Sequence, residues 1–156
     1  MLRPGVPQSG DGPLRCTGVR GTVGPMDPLE GIAAADGLLG RRFPLPRRAL
    51  PLARWTEVVQ EGSGVQVDWN LDDTRPGTPG RLCLYAGPEA PPDHLPGVPA
   101  VQEGPYAVRR APLEAAQPSL RPVVELLWRV EGLHLRLMGQ GPWPEVELRA
   151  IAASVG

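Results

Sequence analysis

The sequence predicts an α+β domain, with a curved antiparallel sheet of five or six strands, a helix packed on the sheet at the C-terminal end and a short N-terminal helix. Three observations lead to this fold class. The hydrophobic period changes from 3.6 residues to 2 after about residue 52, which separates a helical segment from a run of strands. Two apolar stretches flank Glu131-Gly132, a pair that is typical of a two-residue hairpin turn. An amphipathic helical pattern follows that hairpin.

The N-terminal segment 1–25 is rich in glycine and proline and has no hydrophobic period. Such a stretch buries too little apolar surface to offset its ordering entropy, so residues 1–25 are predicted to be a disordered leader. Met26 follows directly, and one interpretation is that Met26 is the true start of the protein. Residues 26–52 are predicted to form a capped helix and a Pro/Arg-rich linker, and residues 53–156 the α+β domain.

The first helix is predicted from Pro28 to about Leu39. Asp27 is a suitable N-cap, Pro28 fits the first helical position, and Gly40 is a typical C-terminal cap. We expect one face of this helix to contain Leu29, Ile32, Ala33 and Asp36. The linker that follows carries the pairs Arg41-Arg42 and Arg47-Arg48, which are expected to lie in water.

Alternation of apolar and polar residues predicts the strands. They are expected at residues 55–60, 65–69, 81–86, 106–113, 123–130 and 133–138. A two-residue turn fixes the register of the last two. One face then pairs Val130 with Leu133, Trp128 with Leu135, and Leu126 with Leu137. The other pairs Arg129 with His134, Leu127 with Arg136, and Glu125 with Met138, and it is expected to face outward.

The last helix is predicted to open at Pro144. Acidic residues in its first turn suit the helix dipole, and its apolar stripe is expected to lie across the apolar side of the hairpin. The residues of this stripe are Leu148, Ile151, Ala152 and Val155. Trp143, between two prolines at the helix entry, is expected to be partly exposed, whereas Trp69 and Trp128 are expected in the core.

Composition excludes several classes of function. All sixteen basic residues are arginine, which indicates a GC-rich genome, and the net charge of −1 argues against a nucleic-acid-binding protein. Cys16 and Cys83 lie too far apart in sequence to suggest a zinc motif or a disulfide framework. The chain shows no apolar stretch of membrane-spanning length and no signal-peptide pattern, so a cytoplasmic location is predicted.

The polar residues give no motif for catalysis, a metal or a cofactor, and none of the three is predicted. Asp68, Asp72 and Asp73 are interpreted as a solvated loop, because the spacing of a calcium loop is absent. His94 and His134 have no partner that the sequence places beside them. Cys83 alternates with leucines on a strand and is expected to be a buried or half-buried apolar group.

The C-terminal residues carry a resemblance to known domains. A set of residues resembles the closing strand–strand–helix unit of bacterial lipoprotein-carrier-like domains: Trp128, Gly132, Leu133, Trp143-Pro144, Leu148, Ile151-Ala152 and Ser154-Val155. Related domains of unknown function lie behind anti-sigma-factor anchors. The resemblance is confined to the C-terminal end of the chain, from Trp128 onward, and implies a curved antiparallel sheet, capped by a helix, that holds an apolar ligand or contacts a partner. It implies no catalytic residue. The sequence departs from such proteins, since it is expected to have no signal peptide, membrane anchor or Cys/His zinc site.

Three functions remain open from the sequence. A non-enzymatic binding or regulatory module is favoured, with a protein or an apolar small molecule as its partner. The alternatives are a carrier with an apolar groove between sheet and helix, and an enzyme whose residues meet only in space. The candidate ligand-binding residues, which converge on one apolar region, are Trp128, Leu135, Leu137, Trp143 and Ile151.

Overall fold

The computed structural model of this chain describes residues 22–50, 55–70, 81–111, 123–140 and 143–156. These residues form two helices and eight strands. The helices are α1 (Pro28–Leu39) and α2 (Glu145–Ala153). The strands are β1 (Thr22–Met26), β2 (Trp55–Glu61), β3 (Gly64–Asn70), β4 (Arg81–Gly87), β5 (Val101–Glu103), β6 (Tyr106–Ala111), β7 (Val123–Val130) and β8 (Leu133–Gln140).

The eight strands form one antiparallel sheet in the order β1-β2-β3-β4-β8-β7-β6-β5. Strands β1 to β4 are neighbours in chain order, as are β8 to β5, and the two halves meet where β4 pairs with β8. The predicted α+β class with an antiparallel sheet and two helices is therefore confirmed, but the sheet has more strands than the five or six expected. The additional strands are β1 and β5, one at each edge.

Neither edge strand has a sequence pattern that predicts it. β1 contains Gly24 and Pro25, and β5 has three residues, so neither shows an alternation long enough to recognise. β1 pairs with β2 and places residues 22–25, expected in the leader, in the sheet. Residues 1–21 lie outside the described part of the chain.

The predicted hairpin register is confirmed pair by pair. Strands β7 and β8 join through Glu131 and Gly132, whose φ angles of 49° and 80° are both positive. A two-residue hairpin turn with positive φ at both positions matches the twist of the strands that it connects. The six expected pairs are all present, from Val130 opposite Leu133 to Glu125 opposite Met138.

One face of the sheet carries the apolar core. A single register row crosses six strands and is apolar throughout. Its members, each at most 1% exposed, are Val58, Val67, Leu84, Leu137, Leu126 and Val108. Both helices cover this face, α1 over β2 and β3 and α2 over β7 and β8. Burial of this layer of branched side chains is the main driving force for the fold.

Helix α1 has the predicted bounds and caps, but the opposite packing face. Asp27 accepts a hydrogen bond from the backbone N–H of Leu29 at 2.9 Å, and Gly40 ends the helix with a φ of 71°. The buried residues are Gly31 and Ala35, whereas Leu29 is 77% exposed, so the expected face is wrong. A Cβ at Gly31 would lie 2.8 Å from the Thr56 methyl group, so the helix packs through its smallest residues in close contact with β2.

Helix α2 lies where the sequence predicts. It contacts β7 and β8 and buries Leu148, Ile151 and Ala152 against the apolar side of the hairpin. Trp143, expected to be partly exposed, is buried just before this helix. Its ring packs on Gly139, and its indole N–H donates to the Arg81 carbonyl oxygen at 3.1 Å. The absence of a side chain at Gly139 makes room for the ring, which sequence spacing alone does not reveal.

Candidate functional site

The five residues predicted to bind a ligand all lie in the core layer between sheet and helices. Leu135, Leu137 and Ile151 are at most 1% exposed, and Trp128 and Trp143 are also buried. All five belong to one apolar cluster. Because they are buried in this layer, packing in the core explains why these five residues are apolar. A ligand groove in this layer stays a prediction.

The other face of the sheet is polar and yet buried. We call it the polar face and define it by Gln66, Asp68, Glu125 and Arg136, each at most 7% exposed. The hairpin face expected to point outward is therefore covered at Glu125 and Arg136, and the expectation is wrong at these two residues. Arg129 on the same face is exposed as expected. Asp68 is likewise not the solvated residue that was expected, and Asp72 and Asp73 lie outside the described residues.

The buried guanidinium of Arg136 organises the polar face. It donates to the side-chain oxygen of Gln66 at 2.6 Å, to the Glu61 carboxylate at 3.0 Å and to the backbone oxygen of Pro92 at 2.9 Å. The guanidinium also lies 5.6 Å from the centroid of the Tyr85 ring, a cation–π contact. These contacts fasten the segment after β4 over the sheet.

The buried carboxylates of the polar face hold protons more tightly than usual. Burial raises the pKa of Glu125, which lies 3.7 Å from Arg109, and it raises the pKa of Asp68, which accepts from Gln66 at 2.8 Å. Burial also raises the pKa of the Cys83 thiol well above its ordinary value. A thiol held in its protonated form is a poor nucleophile, so Cys83 is the buried apolar group that its strand position predicts.

The two histidines differ in their surroundings. The His94 ring nitrogen is 3.3 Å from the Glu61 carboxylate, a pairing that the sequence did not place, and the side chain is 36% exposed. The adjacent Asp93 pairs with Arg109 at 2.7 Å. His134 lies opposite Arg129 in the hairpin and is half-buried. A histidine beside a carboxylate is a catalytic arrangement only where a substrate can bind next to it.

An open cleft of about 360 Å³ lies at the turn end of the β7–β8 hairpin. We call it the Arg cleft. One wall is the segment of residues 41–47, and the rest is formed by Val130, Glu131, Leu133 and Gly156. Phe43 and Leu133 are buried and provide an apolar floor, while Arg41, Arg42 and Arg47 are exposed around it.

The segment that forms this wall is held in place at several points. The backbone N–H of Phe43 donates to the Asp36 carboxylate at 2.6 Å, and Pro46 forms an antiparallel bridge with Val155. Arg48 makes a two-point contact with Glu147, at 2.8 and 2.9 Å. The arginines of this linker are exposed as expected, but the segment that carries them is docked against both helices, and the Arg cleft has a preformed wall.

Comparisons of this chain with protein-family models, with curated proteins and with solved structures found no match. Within the described ranges, no three His, Cys, Asp or Glu side chains come together as metal ligands. The helices described here are too short or too polar to cross a membrane.

The Arg cleft is not apparent from the sequence, because its two walls lie far apart in the chain, at positions 41–47 and 130–133. A signal is present in the alternation of Phe43, Pro44, Leu45 and Pro46. Two apolar residues that alternate with prolines are unusual for a segment that lies only in water, and they could have indicated that this segment packs.

Proposed function

We propose that this protein is a non-enzymatic binding module whose partner is a protein, and that it binds through the Arg cleft. The observation that carries this proposal is the contrast between the cleft and the rest of the charged surface. On the polar face, Arg136 donates to the Glu61 carboxylate at 3.0 Å and is 1% exposed. At the cleft, exposed guanidinium groups surround an apolar floor on a preformed wall.

The chemistry of the lining residues favours binding over catalysis. The described residues around the cleft include no Ser, Cys, His or Lys, and their titratable side chains are arginines and Glu131. Arginine stays protonated in proteins and serves as a hydrogen-bond donor rather than a base. Specific binding sites combine apolar surface with a few oriented polar groups, which is the composition found here.

The proposal is tested by NMR on the isotope-labelled full chain. Pools of synthetic decapeptides of acidic, basic and uncharged apolar composition, and separately a fatty acid, are titrated in. We expect at least one peptide pool to shift the resonances of residues 41–47 and 130–133 in a saturable way. Shifts confined to Leu148 and Ile151 on adding the fatty acid would favour a carrier instead, and the absence of peptide-induced shifts at the cleft would refute the proposal.

A matched pair of variants places the binding at the cleft. Leu45→Ala removes apolar surface from the cleft wall and should weaken peptide binding. Val146→Ala removes a comparable apolar group that is 76% exposed on α2 and does not line the cleft, so it should leave binding unchanged. Equal effects of the two variants would argue against the cleft as the binding site.

A further inference from the structure

The Arg cleft concentrates positive charge on a chain whose net charge is −1. Three guanidinium groups, those of Arg41, Arg42 and Arg47, line the cleft together with one acidic side chain, that of Glu131, and with the last residue of the chain, Gly156. A local excess of positive charge attracts an anionic partner, and it does so most strongly at low ionic strength.

Toward the described residues, these arginines use few of their N–H donors. Arg41 lies 3.6 Å from Glu131, and their side chains are 47% and 79% exposed, which makes this a weak surface pair. Arg47 donates one N–H to an oxygen of the last residue of the chain, Gly156, at 3.1 Å. Arg42 has no ion pair with any residue in the described ranges. Because each guanidinium offers five N–H donors, the three together can bind carboxylates.

Arg48, one residue beyond the cleft wall, is an arginine of the same segment that already has a carboxylate partner. Two of its N–H groups contact both oxygens of Glu147, and the hydrogen bond to Glu147 raises the pKa of Arg48. This arginine fixes the segment to α2. The cleft arginines lack such a bidentate partner among the described residues, so they are the ones available to a ligand.

The dimensions favour a short linear segment. A volume of about 360 Å³ is near the lower end of known small-ligand sites and is sufficient for a few side chains. The wall of residues 41–47 is about 25 Å long at most if fully extended. An extended segment lying along it can place apolar side chains on the Phe43 floor and acidic side chains against the arginines.

From this combination we propose that the Arg cleft binds a short extended segment of a partner protein that carries carboxylates beside an apolar residue, with Arg42 as an anchor for a carboxylate. This inference rests on the proposed function and specifies the chemistry of the partner. Bidentate pairing of arginine with a carboxylate supplies orientation as well as attraction, so acidic residues should be distinguished from their amide counterparts.

The test measures binding of fluorescent peptides to the full chain by anisotropy, at low and at raised salt. One peptide alternates Glu and Leu, its matched partner carries Gln in place of every Glu, and a single-stranded oligonucleotide serves as a second anion. We expect the acidic peptide to bind about tenfold more tightly than the Gln peptide, since charged hydrogen bonds are roughly twice as strong as neutral ones. Added salt should reduce this difference.

Variants separate a specific contact from general electrostatics. Arg42→Glu should weaken the acidic peptide about tenfold or more. The control Arg129→Glu makes the same change in net charge on an exposed side chain that does not line the cleft, and should change binding by less than about twofold. Glu131→Gln releases Arg41 and should strengthen binding. Arg42→Gln repeats the test with a smaller perturbation, and thermal melting checks the fold of each variant.

The outcomes distinguish this inference from the proposed function. Equal effects of Arg42→Glu and Arg129→Glu, or binding of the oligonucleotide in preference to the acidic peptide, would overturn it. If the Gln peptide binds at the cleft as tightly as the Glu peptide, the cleft is a peptide site but the acidic specificity is wrong. If no peptide shifts the cleft resonances in the NMR experiment, both proposals fail.

Discussion

Replacing the buried Arg136 by methionine tests the hydrogen-bond network of the polar face. The guanidinium donates to Glu61, Gln66 and Pro92 at 2.6–3.0 Å, and its side chain is 1% exposed. Arg136→Met removes these donors and leaves Glu61, whose side chain is 13% exposed, without its arginine. Removing one partner of a buried ion pair costs roughly 3–5 kcal/mol, and we expect a loss of unfolding free energy in this range.

The measurement is urea denaturation followed by tryptophan fluorescence, since the chain has four Trp. The control is Arg129→Met, which lies on the adjacent strand β7 and is exposed, and which should change stability by no more than about 0.5 kcal/mol. The double variant Arg136→Met/Glu61→Gln should cost less than the sum of the single variants, because it removes the unpaired charge. If Arg136→Met costs no more than Arg129→Met, the assignment of Arg136 to a buried network is refuted.

Two pH experiments follow from the acidic groups. The hydrogen bond from Arg110 lowers the pKa of Glu145 to about 2, so its contribution to stability is present above about pH 4.5 and is lost as the pH falls toward 2. Glu145→Gln should therefore be less stable than the parent at pH 6 and equal to it near pH 2 in melting experiments, and a constant difference would contradict this. Burial raises the pKa of Glu125. The negative charge of Glu125 therefore opposes folding increasingly as the pH rises above 4.5, the ordinary pKa of a glutamate. The stability of Glu125→Gln relative to the parent should increase between pH 4 and pH 8, and a flat or falling difference would show that the carboxylate is not desolvated.

The hairpin shows what a local sequence pattern can predict and what it cannot. A two-residue turn and strict alternation determine which residues are opposite one another, so the pairing of Trp128 with Leu135 follows from the sequence. The same alternation does not reveal what covers the second face. Arg136 and Glu125 have the composition of a solvated face, and they are buried because the segment after β4, with Pro92, folds over them.

Helix α1 shows the same limit in another form. Its caps are local signals, and Asp27 and Gly40 act as predicted. Its packing face depends on how closely the helix approaches β2, which favoured Gly31 over the larger Leu29. A hydrophobic pattern assigns the core-facing side to the largest apolar side chains. It therefore predicts the wrong face when a helix packs closely on a strand through glycine and alanine.

The sequence by itself determined the elements whose signals are local: the helix caps, the strand alternation, the hairpin register and the apolar stripe of α2. Only the tertiary structure decided which charges are buried and which are available, because this depends on contacts between distant parts of the chain. From the sequence, both Arg136 and Arg42 are expected to lie in water. Arg136 is desolvated by the segment that contains Pro92, whereas Arg42 remains in water beside the hairpin turn at Glu131.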